Sequence, residues 1–102
     1  MRIAIDGMGG DHAPDEIVSG AAAAAELLPD ATLILVGQKD RLTRPGLPPN
    51  IQFVHASEIV EMKEEPVKAL RTKRDSSLRI AMTLVKQGQA DAFISAGNTG
   101  AI

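Results

Sequence analysis

The sequence predicts an α/β protein whose core is a parallel sheet. Short apolar runs suited to buried strands recur at Ile3–Ile5, Thr32–Val36, Ile51–His55 and Ala92–Ser95. The stretches between them carry helical periodicity, so successive strands need right-handed crossovers, and such crossovers make a sheet parallel. Glycine-bearing loops follow the first and fourth runs, at the edge where ligands bind in sheets of this kind.

Composition narrows the class. A chain of 102 residues is enough for one small domain with a modest core, and 44% apolar with 24% charged residues sets it apart from disordered chains. A formal net charge of -2, with two Phe and no Trp or Tyr, offers neither the basic field nor the stacking surface of a nucleic-acid binder. The absence of cysteine excludes disulfides, thiolate metal sites and a cysteine nucleophile. Asp6 and Asp11 interrupt any signal-peptide core after Arg2. The most apolar run, Ala21 to Leu28, contains Glu26 and is too short to span a bilayer, so a soluble chain is expected.

The elements follow in order. Ile3 to Pro14 (IAIDGMGGDHAP) reads as a strand, then a loop holding Gly7, Gly9 and Gly10, then Pro14 as the first residue of a helix. Asp15 and Glu16 suit that helix's first turn. A strand, a glycine loop and a helix N-terminus together make a candidate anion or substrate site, and the plainer alternative is a tight turn with no ligand. The helix continues to about Leu28, with Ile17, Ala21, Ala24, Ala25 and Leu28 as its buried stripe. Thr32–Val36 is the second strand, ended by Gly37, and Gln38–Leu42 allows one helical turn. Arg44 to Asn50, with three prolines and a glycine, is a loop. Ile51–His55 is the third strand. Ala56–Glu65 has no clear period, and Pro66 is expected to open a short helix through Leu70. Arg71 to Arg74 is basic, and Asp75, Ser76 and Ser77 are good N-cap residues for a helix from about Ser76 to Gln87. Leu78, Ala81, Met82 and Val85 form its apolar stripe, and Gly88 is its stop. Ala92–Ser95 is the fourth strand and runs into Ala96–Gly100 (AGNTG). His55, ending the third strand, falls on the same sheet edge as the two glycine loops. The expected sheet has two raw edges and the chain ends where another helix should start, so a truncated domain is expected over residues 1–102.

Four blocks, IAIDGMGGDHAP, VHASEIVEM, ALRTKRDSSLRIAM and DAFISAGNTGAI, together resemble the N-terminal part of the bacterial phosphate acyltransferase (PlsX) family. The pair DxMGGDxxP and SAGNTGA carries most of that resemblance. Gly7 stands where the family commonly has alanine, and Lys63 where it usually has an acidic residue. The resemblance implies an enzyme of phospholipid synthesis that moves a fatty acyl group from acyl carrier protein to inorganic phosphate, giving acyl phosphate. It further implies an α/β/α sandwich, Rossmann-like and similar to phosphotransacetylases and isocitrate-dehydrogenase-like proteins. A homodimer, a cytosolic location and peripheral membrane contact through parts outside these residues are implied as well. No cofactor is expected, and no metal ligand is assigned.

That chemistry suits the residues present. Phosphate is a competent nucleophile and a thiolate leaves readily, so the requirement is placement and oxyanion donors, and no Ser–His–Asp triad is needed. Backbone N–H groups at Gly9, Gly10, Gly97 and Gly100 are candidate donors, with side-chain help from Asn98 and Thr99, which equally suit helix capping. Ser95, closing the fourth strand, joins the phosphate-binding candidates. Asp6 and Asp11 would repel a dianion, so they read as acceptors that hold the loop or its donors, with a metal site left open. His12 is a candidate general acid, or else a capping residue. Lys68, Arg71, Lys73 and Arg74 suit steering of an acidic carrier protein. Arg74 with Ser76 and Ser77 suits phosphate at a helix N-terminus, and a solvated face is the alternative.

Two other readings compete. One is a non-catalytic module that binds phosphate or carrier protein without turnover. The other is a dinucleotide-binding unit, which is disfavoured because Gly7-x-Gly9-x-x-His12 lacks the last glycine of that fingerprint and Gly37-Gln38 stands where an acidic residue should end the second strand. A P-loop is excluded, since no G-x-x-x-x-G-K-[ST] occurs.

Overall fold

The computed structural model describes residues 1–59, 68 and 71–96. Its elements are β1 (Arg2–Asp6), α1 (Asp15–Leu27), β2 (Thr32–Gly37), α2 (Lys39–Leu42), β3 (Ile51–His55), α3 (Ser77–Lys86) and β4 (Ala92–Ile94). The strands form one sheet in the order β3-β2-β1-β4, and every pairing is parallel. The expected α/β class and parallel sheet are therefore present. The short helix expected over Pro66–Leu70 lies largely outside the described residues.

β2 is the spine of the sheet, buried from Leu33 to Gly37. Successive strand residues face opposite sides, and the two sides differ in partner. Leu33 and Leu35 join Val18, Ala21 and Ala25 of α1 in one apolar cluster. Ile34 and Val36 join Ala81 and Leu84 of α3 in another. Helices thus cover both faces, which explains why β2 reads as an unbroken apolar run.

Helix ends show where local rules hold and where they yield. Pro14 is the N-cap of α1 and not its first helical residue, and its carbonyl accepts from Val18 N–H at 2.9 Å. The buried stripe of α1 is Val18, Ala21 and Ala25, while Leu28 is 51% exposed. Leu28 departs from the expected stripe because it is the C-cap, at φ -126° and ψ 68°, where the helical period no longer applies. Asn50 completes this end of the helix. Its amide donates to the carbonyls of Ala25, Leu28 and Ala31 at 3.0, 3.1 and 2.9 Å, and the Ala25 carbonyl is one that the helix C-terminus leaves unpaired. In α3, Ser76 is the N-cap and accepts from Arg79 N–H at 3.2 Å. Gly88 stops it at φ +76°, as its position in the sequence suggests. The deepest residues of α3 are Ser77, Leu78, Ala81 and Leu84, and the expected Met82 and Val85 are only half buried.

Strand β4 forms one edge of the sheet, with Ile94 56% exposed. An apolar groove of roughly 390 Å³ runs beside it between α3 and Phe93. Among the described residues no helix is long and apolar enough to cross a membrane.

Leu35 is fully buried at the centre of the sheet. Leu35→Ala is expected to lower the free energy of unfolding by about 2–5 kcal/mol, the range for a leucine deletion in a packed core. Chemical denaturation of the two proteins measures it.

Candidate functional site

The sheet order locates the crevice. The chain leaves β1 for β2 on one side and returns to β4 on the other, so the strand order reverses between β1 and β4. Ligands in open parallel sheets bind outside the carboxyl ends of the strands at such a reversal.

Residues 6–13 fill the carboxyl end of β1. Gly7 N–H donates to Val36 O at 2.8 Å, which carries the β1–β2 pairing one residue beyond the strand. Met8 turns back into the core cluster around Leu42 and pins the loop from below. The loop then rises to Gly10, at φ +97°, a backbone conformation that glycine adopts without a Cβ clash. A Cβ built on Gly10 would lie 3.1 Å from Ala96 O, so the first glycine loop touches the segment that leaves β4. The second loop's Gly97, Asn98, Thr99 and Gly100 lie outside the described residues.

A recess of roughly 200 Å³ opens at this contact, lined by Gly9 to Ala13, Glu16 and Ile17 on one side and Ala96 on the other. Gly9 is buried in its wall, and Asp11 and His12 are exposed at its rim. Glu16, in the first turn of α1, enters the lining because the loop folds back over that turn, His12 O accepting from Glu16 N–H at 3.2 Å. The described lining contains two carboxylates, Asp11 and Glu16, and neither lysine nor arginine. Besides His12, the groups that can balance an anion here are backbone N–H groups or charges from elsewhere in the protein.

Below the recess sits Asp6, 3% exposed. Its Oδ1 accepts from Met8 N–H at 3.1 Å and from Ser77 Oγ at 2.5 Å, and its Oδ2 accepts from Ser95 Oγ at 2.9 Å. Both ion pairs found among the described residues involve other side chains. Asp6 therefore accepts from the loop, from the start of α3 and from the residue after β4. Ser76, also buried, has its hydroxyl in the α3 cap, so all three serines expected at a phosphate, Ser76, Ser77 and Ser95, hydrogen-bond within the protein.

The basic segment before α3 divides. Lys73 Nζ donates to Ile59 O at 2.7 Å and is half buried, whereas Arg71 and Arg74 are exposed. Asp75 clips this segment to the end of β3. It accepts from both the N–H and the hydroxyl of Ser57, and its own N–H donates to Glu58 Oε1 at 3.1 Å. His55 lies beside it, its Nδ1 accepting from Lys39 N–H at 3.4 Å. The Ser57 hydroxyl, then the Ser57 N–H, hold the Asp75 carboxyl below the usual carboxylate range; desolvation opposes this and the His55 charge adds to it. Among the described residues no three His, Asp or Glu side chains gather as a metal site would require.

The amino-acid sequence matches the model of the family described as "Fatty acid synthesis protein" over residues 1–102. The chain belongs to this family. Relatives named phosphate acyltransferase from Pediococcus pentosaceus and Levilactobacillus brevis are each 50% identical to it across 100% of the chain. Another of that name, from Desulfitobacterium hafniense, is 51% identical over 99% of the chain. The chain spans about 30% of the length of these family members.

Two outcomes are expected. Gly10→Ala places a side chain at positive φ against Ala96 O and should cost about 1–3 kcal/mol of stability, read by chemical denaturation. For Asp75 the folded pKa lies below the unfolded value, so the clip stabilises the protein above about pH 3.9 and loses its contribution as pH falls through the folded value. Asp75→Asn should therefore be less stable than the parent at neutral pH, and denaturation curves across pH should show the gap closing in acid.

Proposed function

We propose that this chain forms the phosphate side of an acyltransferase site, in which a fatty acyl group passes from acyl carrier protein to inorganic phosphate to give acyl phosphate. The observation that carries this reading is the meeting of the Gly10 loop with the exit of β4 at the switch point. It places a backbone-lined recess next to a helix N-terminus. In the reaction a phosphate oxygen attacks the thioester carbonyl carbon, the tetrahedral oxyanion collapses, the C–S bond breaks, and the thiolate leaves and takes up a proton. Backbone N–H groups of Gly9 and Gly10 suit the anion, and His12 at the rim suits proton delivery to the leaving sulfur. The exposed Arg71 and Arg74 suit contact with an acidic carrier. A cytosolic homodimer with peripheral membrane contact belongs to the same reading.

The test is release of free thiol from acylated carrier protein by the full-length protein, expected only when phosphate is added. Binding of carrier or phosphate without turnover would favour the non-catalytic module. Arg74→Ala should raise the KM for phosphate or carrier about fivefold, the equivalent of about 1 kcal/mol for an exposed charge, with an unchanged unfolding midpoint. Unchanged kinetics would remove Arg74 from the site.

A further inference from the structure

The geometry points to Asp6 as a positioning residue for phosphate, with Ser77 and Ser95 as its anchors and not as phosphate ligands. An ionised carboxylate only accepts hydrogen bonds, and a serine hydroxyl has a single proton to give. Ser77 Oγ and Ser95 Oγ stand 2.5 and 2.9 Å from the two oxygens of a carboxylate that is 3% exposed. Each therefore spends its proton on Asp6 and turns only lone pairs to anything else it touches. Lone pairs repel a phosphate oxygen, so neither hydroxyl can donate to the anion while Asp6 is charged.

What the pair does instead is geometric. Asp6 is contiguous with the glycine loop and accepts from Met8 N–H within it. Ser77 is the first residue of α3, and Ser95 lies just beyond β4 and just before Ala96. One side chain thus ties together the loop under the recess, the start of α3 and the strand end whose next residue, Ala96, faces Gly10. Releasing the Ser95–Asp6 link removes a constraint on the Gly10–Ala96 contact, and so on the spacing of backbone donors on which anion binding depends.

Full-length protein carrying Asp6→Asn, Ser95→Ala or Ser95→Thr decides the matter. Asparagine keeps the size of Asp6 but offers Ser95 a donor where it had an acceptor, which reverses that bond. Asp6→Asn and Ser95→Ala should each raise the KM for phosphate between about tenfold and a hundredfold. The KM for the acylated carrier should change far less, and Ser95→Thr, which keeps the hydroxyl, should restore the parent value. A purely structural role would lower the melting temperature and leave the two KM values in their original ratio; that result overturns the assignment. So does a Ser95→Thr enzyme as impaired as Ser95→Ala. Should Asp6→Asn fail to fold, the two Ser95 variants decide alone, since both leave the carboxylate its other donors. The role depends on phosphate being the acyl acceptor, so the parent enzyme is assayed alongside. Absence of phosphate-dependent thiol release in the parent overturns that function and this role with it, whereas an active parent with unaffected variants overturns the role of Asp6 alone.

Discussion

A buried carboxylate is expensive unless its oxygens are satisfied by donors. Asp6 meets that condition with one backbone and two hydroxyl donors, and hydrogen bonds to a charged acceptor are the stronger kind. The carboxyl end of the sheet depends on this arrangement. The glycine loop, the start of α3 and the exit from β4 come from distant parts of the chain, and Asp6 gives them a common point of attachment. Remove one donor and the charge is left partly unpaired, a penalty larger than the bond itself is worth.

A second junction works on the same edge with different chemistry. Asp75 is exposed enough to be wet, and its contacts with Ser57 and Glu58 fasten the segment after β3 to the approach to α3. Asp6 fixes the start of α3 from beneath and Asp75 fixes its approach from the side. The exposed arginines before α3 are therefore mounted on a segment held at two points. That is a suitable setting for charges meant to meet a partner.

Much of the fold was legible because local pattern and burial agree in a doubly covered sheet. The TLILV run could be nothing but a central strand once helices lay on both sides of it, and Ser76 with Gly88 marked both ends of α3. Legibility failed where a residue's role depends on distant neighbours. Leu28 fits the helical period but sits past the helix end, and Asn50 in a proline-rich loop caps a helix that ended before β2 and α2 began. In the site, the glycine loop could be read from Gly7, Gly9 and Gly10, and Asp6 as an acceptor from its awkward charge. That Ser77 and Ser95 supply its donors could not be read, because nothing local distinguishes a serine that caps from one that reaches across the sheet.

The sequence separations inside the Asp6 cluster bear on how the protein is made. Ser77 and Ser95 lie 71 and 89 residues after the carboxylate they serve. Contacts of such range form late, since the chain between them must be ordered first. During synthesis the first loop leaves the ribosome long before its anchors exist, and chains fold from the N-terminus as they emerge. The glycine loop therefore begins as a strand end whose charge is satisfied by water alone, and that charge stays hydrated until its hydroxyl partners have been translated. Until then the charge opposes premature closure of the apolar sheet over it, so the recess takes shape only when all four strands are available.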